Sequence, residues 1–405
     1  IHLLEWQSIH QYECAALFWK CTDISARPHL GANHRSHVQR RQVTTIPHDC
    51  QSPGAYVENK PSIPQITTVI PTYKRPSKLK RAIVSAAQQL GISTKVAVFD
   101  NHSLDETEDV VNELQKTYSQ IIYHCHPENI GALGNFIHGV GTVDTPFFSI
   151  LSDDDYLLPD FYRRAIDDLN DHPEAMFWVG LGLHFDESKN IIDARVQRWP
   201  KEGIYTPPEA AYCIAGGLLP VWTSIVFRRE ILDDTGFIDT SMLGVMDYEF
   251  LLRISLRYPL ILRKHPSAAF FISQDTYSGS QPLSSFWPGW KKMFKKLECY
   301  SETSKIHHDN LSRMLRHSGE RMLFRRGVNA IVHRRYDFAK DASTALKEDC
   351  GKLLTSSMLS AATIICEHSN FAHKIFSRIY RNLEKRLINS RRHLQDDFGH
   401  LLDKL

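Results

Sequence analysis

No apolar run in this chain approaches the roughly 18 residues that a membrane-spanning helix requires. The N-terminal stretch is broken by Glu5, Gln7, His10 and Glu13, so it forms no secretory h-region, and the expectation is a soluble, unexported, cytoplasmic protein. Paired cysteines are missing as well. The eight (Cys14, Cys21, Cys50, Cys125, Cys213, Cys299, Cys350, Cys366) lie far apart with no C-x-x-C, which argues against a zinc ribbon and leaves isolated thiols of a reducing compartment. The 21 histidines fall into no H-E-x-x-H motif or paired-ligand spacing and read as background. An excess of one charge is lacking too: 48 basic against 46 acidic residues leave a formal charge of +2, so no global field recruits nucleic acid.

What is present divides the 405 residues into three. Residues 1–64 begin at Ile1 and carry Pro, His, Arg and Gln without helical or strand rhythm, which predicts a flexible or non-native leader. From Gln65 short apolar runs alternate with amphipathic segments, the pattern of an α/β domain, and this holds to about residue 274. Strands are expected at Ile66–Ile70, stopped by Pro71, at Lys95–Phe99, Ile121–Tyr123, Phe147–Leu151, Ala175–Leu183 and Ile225–Phe227. Helices are expected over Ser77–Leu90, closed by Gly91, and over Thr107–Tyr118. Residues 275–405 read as helical. Their last strong segment sets Ile375, Phe376, Ile379, Tyr380, Leu383, Leu387 and Ile388 on one side amid Lys374, Arg378, Arg381, Lys385, Arg386, Arg391 and Arg392. A helix packed on the α/β domain with a solvated basic face is the favoured account, and a helix lying on the inner face of a membrane is the alternative.

Polar clusters fall immediately after predicted strands: Thr72-Tyr73-Lys74-Arg75, Asp100-Asn101 and Ser152-Asp153-Asp154-Asp155. Ligands bind at the carboxyl ends of strands in open α/β sheets, so these clusters should converge on one crevice. Three consecutive carboxylates repel one another unless a cation or water neutralises them, and oxygen-only ligands suit Mg²⁺ or Mn²⁺ better than zinc. The competing account makes them turn residues leading into a helix opened by Pro159-Asp160. Asp100 suits a nucleobase or ribose, and equally an Asx turn capping the next helix.

In this order and spacing, TTVIPTYKRPSKLKRAIVSAAQQ, VAVFDNHSLDET, ENIGALGNFIHGV and FSILSDDDYLLPDF resemble the GT-A fold of family-two glycosyltransferases. The resemblance implies a Rossmann-like, mostly parallel sheet flanked by helices, with the C-terminal helical region appended. It implies a hexosyltransferase that inverts the anomeric centre, using a nucleotide-sugar donor, a UDP-sugar first among them, and a glycan or lipid-linked glycan acceptor in cell-surface polysaccharide or glycoconjugate synthesis. By that resemblance Pro71, Thr72, Tyr73 and Arg75 line the nucleotide pocket, Asp100 holds the base, and Asn129, Gly131 and Asn135 lie beside the donor. Asp153 faces the ribose or sugar, Asp154 coordinates Mn²⁺ or Mg²⁺, and Asp155 supports it as a second ligand. Ser152 stands where the family's metal motif usually begins with aspartate.

The family's catalytic base falls on Asp247 in GVMDYEFLLR, with Met246 where a glutamate usually precedes it and Glu249 as the fallback. Trp222 stands where relatives meet the acceptor, with a buried core tryptophan the equal alternative. Residues 273–280 contain no histidine where relatives often have one near the diphosphate. Two rivals follow. A non-catalytic GT-A-like protein that binds nucleotide or glycan is motivated by Met246 and the absent histidine. A nucleotidyltransferase is disfavoured because residues 71–76 lack a Gly-rich phosphate loop.

Overall fold

The computed structural model describes residues 64–272, 282–297 and 305–402, with the side chains of 305–307 left out. Residues 1–63 of the expected leader and residues 273–280 lie outside the described residues. The strands are β1 (Ile66–Thr72), β2 (Thr94–Asp100), β3 (Ile121–Cys125), β4 (Phe147–Ile150), β5 (Tyr156–Leu157), β6 (Phe177–Phe185), β7 (Ile191–Asp193), β8 (Gly203–Tyr205), β9 (Ile225–Arg228) and β10 (Leu260–Phe271). The helices are α1 (Pro76–Ala87), α2 (Thr107–Gln115), α3 (Gly131–Gly141), α4 (Phe161–Asp171), α5 (Glu209–Ala215), α6 (Glu230–Thr235), α7 (Met246–Arg257), α8 (Trp287–Leu297), α9 (Lys305–Val332), α10 (Tyr336–Glu348), α11 (Leu353–His368), α12 (Asn370–Ser390) and α13 (Arg392–Phe398).

The strands form one sheet in the order β3-β2-β1-β4-β9-β6-β10-β5, with β7 beside β6 and β8 beside β10. β1 runs parallel to β2 and β4, β2 to β3, and β6 to β10. β9 is antiparallel to both β4 and β6, so the carboxyl ends of β1, β2, β4, β6 and β10 share one edge. The first three strands are crossed over by α1 and α2, each presenting apolar residues at helical spacing, such as Leu79, Ala82, Ile83 and Ala86 of α1.

Pro71 does not stop β1. It pairs in register with Phe99, while β4 has already ended opposite Val69, so the missing Pro N–H costs no ladder bond on that side. Thr72 is thereby carried one residue further, level with Asp100 on the neighbouring strand.

From Trp287 onward the described chain is helical, but it is no loose appendage. Trp290, Met293 and Phe294 of α8 and Leu311, Leu315 and Leu323 of α9 belong to one continuous core with the sheet residues Phe148, Val179 and Phe227. The apolar side expected for the last long helix is split by the fold. His373, Ser377 and Tyr380 face inward on α12, whereas Ile375 and Ile379 are 45% and 52% exposed.

Candidate active site

The first wall of the site is the loop after β4. Thr72 Oγ1 donates to Asp153 Oδ2 at 2.9 Å, and Arg75 Nη1 reaches Asp153 Oδ1 at 3.1 Å and Asp154 Oδ2 at 3.0 Å. Arg81 Nη2 holds the Asp154 carbonyl at 3.0 Å. Both carboxylates are buried, so their mutual repulsion is poorly screened. Burial and the charge of Asp154 push the Asp153 carboxyl up to about 6, against the opposing pull of Arg75 and Thr72. Two buried oxygen donors bridged by one guanidinium form a set that fits a hard divalent cation in chemistry and charge. Asp155 plays a different part. Its Oδ2 accepts from Thr223 Oγ1 at 2.7 Å and its Oδ1 from the Phe271 amide at 2.9 Å, tying the acidic loop to the 3₁₀ turn at Trp222–Ser224 and to the end of β10.

The second wall is the start of α7. Asp247 lies in the first helical turn with Oδ1 accepting from the Tyr248 amide at 2.7 Å, and it lines one pocket with Ile150, Ser152, Pro220, Val221, Trp222, Thr223 and Phe270. The pocket is narrow, a cavity of about 10 Å³, room for about one water. Asp247 therefore shares this pocket with Ser152, at the head of the acidic loop, while Asp153, Asp154 and Asp155 are not among its lining residues.

A strained segment feeds Asp247. Leu243, in the 3₁₀ turn over Thr240–Val245, adopts φ 52°, ψ −135°, a costly region for a branched side chain. α8 presses on this segment at Gly289, where an added Cβ would stand 2.0 Å from the Met242 carbonyl oxygen and 2.8 Å from Val245 Cγ2. Gly289→Ala is therefore expected to destabilise the protein by about 2–3 kcal/mol and to depress turnover by shifting the start of α7, read by melting temperature and kcat together.

Two assignments are corrected. Glu249, two residues on, points to the opposite side of α7. Its carboxylate accepts from Arg253 Nε at 3.0 Å and pairs with Lys296 Nζ of α8 at 2.7 Å, so it binds helix to helix and does not line the pocket. Trp222 is no stacking platform. Its ring stacks on Phe250 at 5.4 Å and meets Phe136 and Phe237 edge-on at 5.7 Å, leaving only part of it to the pocket wall. Its indole N–H has no protein acceptor among the described residues. Trp222→Ala should cost about 3–5 kcal/mol of stability, measurable by denaturant melts, as deletion of a buried aromatic does.

At the end of β2, Asp100 Oδ1 accepts from the Ser103 amide at 3.1 Å, the turn geometry, while Oδ2 accepts from Tyr123 OH at 2.8 Å. The α2 start is bonded by Asp105 instead, whose Oδ1 accepts from the Thr107 amide at 3.0 Å. Burial and the Asp100 carboxylate hold the Tyr123 hydroxyl above its usual range. Asn129 Oδ1 accepts from Asn101 Nδ2 and the Gly131 amide, both at 2.9 Å, and Gly131 takes a left-handed φ of 79° at an open surface. Asn135 is buried beneath, donating to the Phe99 carbonyl at 2.8 Å and accepting from His126 Nε2 at 2.9 Å, so its contacts are architectural. Tyr73 is 40% exposed at the rim, with Lys74 Nζ 5.3 Å from its ring centroid.

Sequence reasoning missed Arg81 and Thr223, and it placed Asn101 in the Asp100-Asn101 cluster without giving it a role. Asn101 accepts from the Ile130 amide at 2.9 Å and so positions the Asn129 loop, and its place directly after Asp100 at a strand end was the available signal. Nothing local distinguished Arg81 from the other basic residues of α1.

Residues 67–236 match the sequence model described as glycosyl transferase family 2. An uncharacterised glycosyltransferase of Rickettsia typhi is 26% identical over 245 residues, 58% of this chain and 73% of that relative. A GalNAc(5)-diNAcBac-PP-undecaprenol beta-1,3-glucosyltransferase of Campylobacter jejuni is 33% identical over 97 residues, 24% of this chain and 31% of that enzyme. The fold resembles S. aureus TarS residues 1–349 in complex with UDP, with TM-score 0.54 at 13% identity, covering 78% of this chain and 91% of that one. The UDP-GlcNAc complex of the same protein gives TM-score 0.53 at 13% identity, covering 78% and 92%. The architecture is the GT-A fold with a C-terminal helical region.

Proposed function

We propose that the chain, whose residues 67–236 match glycosyl transferase family 2, moves a hexose from a nucleotide-diphosphate sugar to an acceptor hydroxyl with inversion. The observation that carries this reading is the single pocket shared by Ser152, at the head of the acidic loop, and Asp247. Thr72, Tyr73, Asp100 and the Asn129–Gly131 loop would receive the nucleotide, with Asp153 towards ribose or sugar. Arg75, which bridges Asp153 and Asp154, would meet diphosphate charge as well. Asp154 would hold Mg²⁺ or Mn²⁺ and Asp155 brace the loop. When bound, such a cation neutralises charge on the departing diphosphate. Asp247 takes the proton of the acceptor hydroxyl as its oxygen forms the new bond at the anomeric carbon. Calorimetric titration of UDP, GDP and dTDP with and without Mn²⁺ tests the donor side. Metal-dependent binding of one nucleotide that disappears in Asp154→Ala supports the reading, and no binding of any by folded protein leaves a non-catalytic binder.

A lipid-linked or cell-surface glycan acceptor is supported by the undecaprenol-linked substrate named for the Campylobacter relative. It is supported also by the outer face of α11 and α12, where Leu354, Met358, Ile365, Phe371, Ile375 and Ile379 are exposed beside Lys374, Arg378 and Arg381. Apolar and basic groups together suit an anionic membrane surface. No described helix is long and apolar enough to cross one. Vesicles rich in phosphatidylglycerol should co-sediment the protein, pure phosphatidylcholine vesicles should do so poorly, and Ile375→Glu with Ile379→Glu should abolish the difference. Unchanged sedimentation of the variant would remove this face as the membrane contact, and concentration-dependent dimerisation lost in the same variant would replace the lipid by a second copy.

A further inference from the structure

Histidines that read as background in the sequence are gathered by the fold. His124, the fourth residue of β3, and His126, just past its end, share one face of the extended chain, and α3 crosses that face with His138. The crossing is close because α3 carries Gly139 against the sheet: a Cβ there would stand 2.7 Å from Val69 Cγ1 and 2.9 Å from Phe99 Cδ2. The metal-binding atoms of the three rings all lie within 4.8 Å of one another. His124 and His138 stack at 5.2 Å between centroids, and His126 meets each of them edge-on at 4.8 Å. Phe99 backs the cluster, 5.7 Å from His138 and 6.0 Å from His124.

The tautomer of His126 is determined by its surroundings. Asn135 donates through Nδ2 to the Phe99 carbonyl at 2.8 Å, so its Oδ1 must be the acceptor facing His126 Nε2 at 2.9 Å. The Nε2 proton is thus fixed and the lone pair lies on Nδ1, the arrangement in which a ligating imidazole is held by a polar neighbour behind it. His126 is buried while His124 and His138 are exposed, so a fourth position faces solvent.

We propose that His124, His126 and His138 form a binding site for a zinc-class transition-metal dication, separate from the carboxylate site. Three imidazoles with an open fourth position suit Zn²⁺. Nitrogens sharing one zinc stand about 3.4 Å apart given Zn–N bonds near 2.1 Å, so the two exposed rings close inward on binding. The ion then clamps β3 to α3 and fixes the connection that carries Asn129 and Gly131.

The test uses chelator-stripped, tag-free full chain titrated with Zn²⁺ alone against a chromophoric chelator, and with Co²⁺ followed by visible absorption. One equivalent should bind, and His124→Ala and His138→Ala, both at exposed positions, should each weaken it by about 10-fold or more with an unchanged melting temperature of the stripped protein. Asp154→Ala should bind Zn²⁺ as the wild type does. Stoichiometric binding that survives both histidine variants, loss only in Asp154→Ala, or absence of a one-equivalent step in the wild type would overturn the site.

Discussion

Replacing Asp247 by Asn is expected to lower turnover by about 10²–10⁴-fold, the range a positioned general base contributes, while donor affinity stays near the wild-type value. The asparagine keeps an oxygen that can accept from the Tyr248 amide, now held at 2.7 Å, so the first turn of α7 should keep its shape. What is lost is the capacity to take a proton where Asp247 meets the pocket. The contrast is Glu249→Gln, two residues away. That side chain pairs with Arg253 and Lys296, and breaking a buried pair by changing one partner costs about 3–5 kcal/mol. Its expected signature is therefore a lowered melting temperature, with kcat falling only as α8 loosens. Steady-state kinetics and thermal melts on the two variants separate the roles. Normal turnover in Asp247→Asn would remove the base assignment, and absence of turnover in the wild type would return the chain to the non-catalytic reading.

The convergence of the loops after β1, β2 and β4 was legible because it depends on local signals. A buried strand of period-two or continuous apolar residues that runs out at Thr72, at Asp100 or just before Ser152 announces both the strand and the edge at which it ends. α3 was not legible as a helix. Its sequence GALGNFIHGVG carries four glycines, poor helix formers, and it is helical because Gly139 can lie flat on Val69 and Phe99. β10 was hidden by Arg263-Lys264-His265-Pro266, which interrupt its apolar pattern where the register with β6 shifts. The outward apolar stripe of α12 deceived for the reverse reason. Periodicity reports that a face is apolar but not what covers it, and His373, Ser377 and Tyr380 are the residues that turn inward. The same limit applies to Glu249, whose partner Lys296 lies 47 positions later on α8, and to the histidines, brought together by strand, loop and helix.

The acidic loop should be worth more to function than to folding, and Asp154→Asn is the substitution that exposes the difference. Loss of the second carboxylate is expected to weaken metal-dependent nucleotide binding by about 100-fold or more, as removal of a ligand or its supporting partner does. Yet the metal-free variant should melt about 2 °C higher than metal-free wild type, about 1 kcal/mol of relieved repulsion. The reason is the Asp153 carboxyl, pushed up to about 6 by burial and by its neighbour's charge. An acid whose pKa is raised by folding stabilises the fold while protonated, and that contribution is lost as pH rises from the ordinary carboxylate range through 6. Chelated wild type should accordingly gain stability as pH falls from 7 towards 5. In Asp154→Asn the gain should shrink, since burial remains but the neighbouring charge does not. Arg75 opposes this outcome, because its guanidinium already bridges both carboxylates at 3.1 and 3.0 Å. Melts of chelated wild type and variant across that pH window decide which effect wins. A variant that melts lower at every pH would mean that the Arg75 bridge outweighs the repulsion and that the loop is neutralised from within.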